Sequence, residues 1–134
     1  MRVSKLRKSA TVLLVDDNDY SRTGLTELLT LKGYRAFEAS SPVLALSLVK
    51  ELGNELDVLV TDIVMPGMNG FELSRTVRKL NPAVDIIYMS AYCLAETADS
   101  GPNDLVLSKP VPISVLVEAL EGVLGRDAGN SNGG

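Results

Sequence analysis

Four short apolar runs in this chain each end in residues that could do chemistry. Asp62 closes one run, Asp16 and Asp17 follow an earlier one, Ser90 follows a third and Lys109 follows a fourth. Adjacent parallel strands bring their carboxyl ends to one edge of a sheet. If these runs are such strands, three carboxylates, a hydroxyl and an ammonium meet there. That combination would suit a divalent metal and a phosphoryl group.

The three carboxylates of such a cluster need a compensating cation. Two unit charges about 4 Å apart repel by about 4 kcal/mol at an effective dielectric of about 20. Lys109 supplies one positive charge, and an all-oxygen site with few protein ligands favours Mg²⁺ for the rest. Helix capping by Asp17, Asn18 or Asp19 is the simpler explanation of one acid in that loop. Capping does not explain Asp62, so we favour the metal site.

Asp62 is the acid that we expect to accept the phosphoryl group. A carboxylate can act as a nucleophile toward phosphorus, and Asp62 follows the run predicted to form the central strand. There it would lie between the acid pair and Ser90 with Lys109. Ser90 could donate a hydrogen bond to a phosphoryl oxygen, and Lys109 would act as a point charge on another.

Alternating strand-like and helix-like segments predict the scaffold for this site. Strands are predicted over residues 11–15, 35–39, 57–61, 85–89 and 105–107. Helices are predicted over about 20–32, from 42 after an N-cap at Ser41, after 70 to before Pro82, and from near Pro112. The first, third and fourth strands are almost wholly apolar, which indicates burial on both faces of a parallel sheet. We therefore predict an α/β, flavodoxin-like, doubly wound five-stranded sheet, order 2-1-3-4-5.

Composition limits the classes of function. The chain has 134 residues and a formal net charge of −4, although residues 1–10 are basic, so the body is acidic and nucleic acid is an unexpected direct partner. We predict a polar leader or linker over 1–10, one domain over 11–124 and a disordered tail over 125–134. No apolar run reaches the roughly 20 residues that cross a bilayer, so we expect no membrane insertion.

Cysteine and histidine usage narrows the possible chemistry. Cys93 is the only cysteine, which excludes an internal disulfide and fits a reducing, cytoplasmic location. The chain has no histidine, which excludes Ser-His-Asp and Cys-His nucleophiles, histidine-ligated zinc and a phosphohistidine on this chain.

Four motifs together carry a resemblance to a known family. They are Val15-Asp16-Asp17-Asn18, the segment from Asp62 to Gly70, Ser90-Ala91 and Lys109-Pro110. In this order and spacing they resemble the receiver domain of two-component response regulators or hybrid sensor histidine kinases. The resemblance covers about residues 11–124. It implies that Asp62 becomes an aspartyl phosphate, taking the group from a phosphohistidine on a sensor histidine kinase or histidine phosphotransfer protein.

The same resemblance implies roles for the other site residues. Asp17 and Asp62 would bind Mg²⁺ directly, with the backbone carbonyl of Val64 as a third ligand and Asp16 acting through water. Ser90 and Lys109 would take the switch-hydroxyl and lysine roles, and the peptide bond after Lys109 would be cis. Such a domain promotes its own phosphorylation and dephosphorylation but turns over no separate substrate.

Three features depart from the family pattern. Val106 stands where the family usually has an aromatic residue that moves with the switch hydroxyl. The short spacing between Ser90 and Lys109 predicts that the fourth helix, between strands four and five, is short or absent. Val64 and Tyr92 are bulkier than the small polar residues that commonly flank the hydrolytic water, so we predict slow loss of the phosphoryl group.

Other functions fit parts of this pattern. A haloacid-dehalogenase-type phosphatase also uses an Asp nucleophile with Mg²⁺, but position 64 is Val rather than the second Asp of that motif. A flavodoxin-type FMN carrier would need a Ser/Thr-rich loop where this chain has an acidic one. A scaffold that binds its partner regardless of phosphorylation is a further alternative, favoured by Val106 and the altered fourth helix.

Overall fold

The computed structural model describes residues 10–91 and 104–133, with side chains described up to residue 125. The alternation of elements follows the predicted order. The elements are β1 (Thr11–Val15), α1 (Asp19–Leu31), β2 (Arg35–Ala39), α2 (Pro42–Leu52), a 3-10 turn (Gly53–Glu55), β3 (Val58–Asp62), α3 (Gly70–Leu80), β4 (Asp85–Ser90), β5 (Leu105–Ser108) and α4 (Ile113–Gly133).

The five strands form one parallel sheet in the order β2-β1-β3-β4-β5. This confirms the predicted flavodoxin-like arrangement. The register aligns Val15 of β1 with Thr61 of β3, and Asp62 of β3 with Met89 of β4. The residues that follow β1, end β3 and end β4 therefore lie at the same edge of the sheet.

Two apolar layers enclose the sheet, which explains why its central strands lack polar alternation. Every residue of β1 and β3 is buried. Leu13 and Leu59 point into the layer formed with α2 and α3, whereas Val12 and Val60 point into the layer formed with α1 and α4. Each strand thus places alternate side chains in opposite layers, and burial on both faces fixes the position of its carboxyl end.

Local capping sets where the helices begin. Ser41 accepts a hydrogen bond from the Leu44 backbone N–H at the start of α2, with Pro42 in the first turn, as predicted. At α3, Asn69 and Glu72 form a reciprocal capping box. The capping box fixes the entry of α3 directly after the loop that follows β3.

The last helix extends into the carboxyl-terminal segment. Helix α4 continues to Gly133, so its backbone is helical through residues 125–133. Extending an existing helix requires no new nucleation, and no proline interrupts this segment. The predicted domain division stays a prediction.

Several expectations fall on other parts of the chain. Four of them lie outside the described residues: the leader before Ala10, the short helix predicted between β4 and β5, Tyr92 and Cys93. Across the described segments, no helix combines the length and apolar character needed to span a membrane.

Candidate functional site

The loop after β1 presents one buried and one exposed carboxylate. Asp16 is fully buried, and its Oδ1 accepts a hydrogen bond of 2.9 Å from the Asn18 backbone N–H. Asn18 in turn caps α1, because its Oδ1 accepts from the Ser21 backbone N–H at 3.0 Å. Capping therefore falls to Asn18, and Asp17 remains exposed at the mouth of the site.

Asp62 ends β3, and a close backbone approach fixes the turn that follows it. The Gly70 N–H donates to the Ile63 carbonyl at 2.8 Å. A Cβ atom at position 70 would lie only 2.2 Å from the backbone oxygen of Asp62. Gly67, between them in the loop, has a φ of +84°, a conformation that glycine adopts without a steric penalty. Glycine at position 70 thus allows α3 to start directly against Asp62.

The Lys109 amine contacts both the carboxylate that follows β1 and the carboxylate that ends β3. Its Nζ lies 3.1 Å from Oδ2 of Asp16 and 3.1 Å from Oδ2 of Asp62. The Lys109 backbone N–H donates to the Ser90 carbonyl at 2.8 Å. This hydrogen bond ties the residue after β5 to the end of β4. The peptide bond between Lys109 and Pro110 is cis, as expected.

A small cavity opens beside Asp62. Its volume is about 180 Å³, and it is lined by Asp62, Val64, Ser90, Ala91 and Lys109. Ser90 is buried at the end of β4, while Val64 is 56% exposed at the rim. The structure therefore brings the predicted acceptor, hydroxyl and amine to one cavity.

Burial and charge together perturb the two ionisable groups at the cavity floor. Burial, followed by repulsion from Asp16, raises the pKa of Asp62 to about 6, although Lys109 opposes this shift. Burial lowers the pKa of Lys109, but its hydrogen bonds to Asp16 and Asp62 outweigh burial, and the net pKa is raised. The amine is therefore a fixed positive charge, whereas the acid cluster retains uncompensated negative charge.

One carboxylate oxygen from each of Asp16, Asp17 and Asp62 lies within 4.8 Å of the others. All three donors are hard anionic oxygens, and Lys109 offers the cluster only a single positive charge. This donor set fits a hard divalent cation of the Mg²⁺ type. The predicted convergence of the three acids is confirmed.

A family model for the response regulator receiver domain matches residues 12–121. The chain belongs to the response regulator receiver family. Among curated proteins, this receiver is 39% identical over 126 residues to the sensor kinase CckA of Brucella abortus, covering 92% of this chain and 13% of that protein. It is 34% identical over 113 residues to the sensor histidine kinase RcsC of Escherichia coli K12, covering 81% of this chain and 12% of that protein.

Solved structures agree with this assignment. A response regulator receiver protein from Sinorhizobium medicae superposes with a TM-score of 0.80 at 28% identity, covering 88% of this receiver and 96% of that chain. The receiver domain of the hybrid histidine kinase CckA gives a TM-score of 0.76 at 28% identity, covering 85% and 98%. This receiver therefore corresponds to a small part of the sensor kinases and to nearly all of these solved chains.

The receiver has a buried aromatic residue beside the unusual Val106. Val106 pairs with Tyr88 across the β4–β5 ladder. The Tyr88 ring is 1% exposed and packs against Phe71 with ring centroids 4.8 Å apart. Its hydroxyl lies 2.7 Å from Oγ of Ser74 on α3. Aromatic bulk next to β5 thus comes from β4, two residues before Ser90.

One group near the site was missed by the sequence analysis. The Arg22 guanidinium on α1 contacts the Asp16 carbonyl, Glu38 on β2 and Asp19. Arg22 looks like an ordinary exposed helix residue in the sequence, and no spacing rule connects it with Glu38. The pairing of β1 with β2 and the packing of α1 against β2 bring these groups together.

Proposed function

We propose that this receiver accepts a phosphoryl group on Asp62 from a phosphohistidine of a sensor histidine kinase or a histidine phosphotransfer protein. Phosphorylation would then change its affinity for a partner. The observation that carries the proposal is the shared contact of Lys109 with Asp16 and Asp62, each at 3.1 Å, beside a cavity that Ser90 also lines. That arrangement flanks a buried carboxylate with an amine and a hydroxyl.

The transfer is a displacement at phosphorus. A carboxylate oxygen of Asp62 forms the new P–O bond, and the P–N bond to the imidazole breaks, so that the leaving ring takes the electron pair. Lys109 stabilises the negative charge on one phosphoryl oxygen, and the Ser90 hydroxyl donates to another. The cavity between them has room for the incoming group.

Four residues would hold the Mg²⁺ ion in this proposal. Asp17 and Asp62 would bind it directly, the backbone carbonyl of Val64 would be a third ligand, and Asp16 would act through water. The bound ion would neutralise charge on the phosphoryl oxygens. The proximity of the three carboxylates and the raised pKa of Asp62 support this assignment.

The proposed partners follow from the relatives. CckA and RcsC are sensor kinases, which supports a phosphohistidine donor rather than a nucleic-acid ligand. An acidic chain is consistent with that choice. We propose a cytoplasmic receiver that promotes its own phosphorylation and dephosphorylation without turning over a separate substrate.

The proposal is tested with acetyl phosphate and Mg²⁺ as a small-molecule donor system. Intact-mass measurement should show one added phosphoryl group on the wild-type chain and none on Asp62→Asn. Asp57→Asn is the matched control, since Asp57 precedes the same strand at its opposite end and accepts from the Thr11 N–H. Phosphorylation of Asp62→Asn at the wild-type level would contradict the assignment of the acceptor.

Signalling requires a second measurement. A histidine phosphotransfer protein should bind the phosphorylated and unmodified receiver with different affinities, because equal affinity for both states shifts no population. Equal affinities, together with normal phosphorylation, would favour the scaffold alternative.

A further inference from the structure

We propose that Arg22 is a positioning residue that fixes the peptide between Asp16 and Asp17 and thereby sets the divalent-cation site. The inference rests on the proposed function in one respect, the binding of Mg²⁺ by the acid cluster. Arg22 lies on the first turns of α1, and its side chain is 11% exposed.

The Arg22 guanidinium joins three separate parts of the chain. Its Nη1 donates to the backbone carbonyl of Asp16 at 2.9 Å, and its Nε donates to Oε1 of Glu38 on β2 at 2.7 Å. Its Nη2 lies 2.8 Å from Oδ1 of Asp19. A planar guanidinium presents these donors in a fixed fork, which the point charge of lysine cannot reproduce.

The hydrogen bond from Arg22 to the Asp16 carbonyl fixes the orientation of the peptide unit that leads into Asp17. The carbonyl of Asp16 and the N–H of Asp17 belong to one planar peptide unit. The Asp16 N–H is already held by the Ala39 carbonyl at 3.2 Å. With both ends of Asp16 held, the orientation of the following peptide is fixed. Asp17 is exposed, so its carboxylate depends on this backbone orientation to face Asp62.

Electrostatic repulsion alone predicts that Arg22 weakens the binding of Mg²⁺ instead of supporting it. A cation beside three carboxylates would weaken the binding of a second cation. Glu38 and Asp19 both pair with Arg22, so its charge is locally compensated. This compensation reduces the repulsion between Arg22 and a bound cation. Removing Arg22 should still strengthen Mg²⁺ binding if the remaining repulsion dominates, and weaken it if the position of Asp17 dominates. The sign of the change separates the two explanations.

The experiment measures the Mg²⁺ dissociation constant of the full chain by isothermal titration calorimetry. We expect Arg22→Met and Arg22→Lys each to weaken Mg²⁺ binding by about 10-fold, the range seen when groups that orient metal ligands are removed. Arg35→Met is the matched control, because Arg35 pairs with Glu55 at 3.0 Å on the surface of the same β2 region. Its affinity should equal that of the wild type.

A second variant and a folding measurement keep the outcome decisive. Glu38→Gln removes the carboxylate that anchors Nε, and we expect a loss of a few-fold in Mg²⁺ affinity. Thermal unfolding identifies any variant that fails to fold, and the folded variants then decide. Unchanged or tighter Mg²⁺ binding by the folded variants would contradict this role of Arg22 but would leave the proposed function intact. Absence of Mg²⁺ binding by the wild type would contradict the proposed function and this inference together.

Discussion

The amine of Lys109 lies 3.1 Å from a carboxylate oxygen of Asp62, a residue 47 positions earlier in the chain. The contact depends on the parallel pairing of β3 with β4 and of β4 with β5. The Lys109 side chain is 20% exposed and that of Asp62 is 9% exposed. A mostly buried cation thus stands beside the proposed nucleophile before any phosphoryl group arrives.

Removing that cation should slow phosphorylation without preventing folding. We expect Lys109→Gln to reduce the rate of phosphorylation by acetyl phosphate by about 100-fold, because one charged donor to the transferring group is lost. Lys50→Gln removes an exposed lysine of α2 and should leave the rate unchanged. The rate is followed by intact mass over time. A Lys109→Gln rate equal to that of the control would refute the role of the amine.

The raised pKa of Asp62 predicts a pH dependence of stability in metal-free buffer. Its pKa is about 6 in the folded chain against an ordinary value of 3.8. Because the folded state binds the Asp62 proton more tightly than the unfolded state, protonation of Asp62 stabilises the fold. This contribution is complete below the ordinary pKa and is lost as pH rises through about 6. Asp62→Asn has no carboxylate to ionise at this position and does not lose stability in this way. Its free energy of unfolding at neutral pH should therefore exceed that of the wild type by up to about 3 kcal/mol.

Urea unfolding in the presence of a chelator, at several pH values between about 4 and 8, measures this difference. Asp57→Asn again serves as the control for a carboxylate away from the cluster. A stability difference between Asp62→Asn and the wild type that stays constant over this range would rule out the raised pKa.

Gly70 should tolerate no side chain. A Cβ atom there would lie 2.2 Å from the backbone oxygen of Asp62, so Gly70→Ala must displace either the start of α3 or the end of β3. We expect a loss of about 3 kcal/mol in the free energy of unfolding, comparable to strong overpacking. Gly24→Ala in α1 meets nothing within 4 Å and should stabilise the chain by up to about 1 kcal/mol. Equal effects in urea unfolding would contradict the close approach.

Much of the fold and the site followed from simple patterns. The apolar runs of β1 and β3, each ending in carboxylates, predicted a buried parallel sheet and the convergence of Asp16, Asp17 and Asp62. These features are local in sequence, and the sheet topology then makes them neighbours. The placement of Lys109 at the same sheet edge as these acids followed from the same reasoning.

Features that depend on tertiary contacts were not predictable. Arg22 and Glu38 meet because α1 packs against β2, which pairs with β1. The sequence predicted that a helix follows Gly70, but the closeness of Gly70 to Asp62 arises from how α3 docks. The helical backbone of residues 125–133 runs against their Gly- and Asn-rich composition, because a helix already formed by packed residues propagates at little cost.

The rim of the cavity should control how long the phosphoryl group persists. Val64 is 56% exposed and lines the cavity beside Asp62, so we expect its apolar side chain to hinder attack by water. We expect Val64→Asn combined with Tyr92→Glu, the two positions where the family commonly has small polar residues, to speed dephosphorylation by about 10-fold, since a polar side chain can orient a water. The decay of the phosphorylated species is followed by intact mass after the donor is removed. Val115→Asn, at an exposed valine of α4, is the control, and no acceleration in the double variant would show that the rim does not limit hydrolysis.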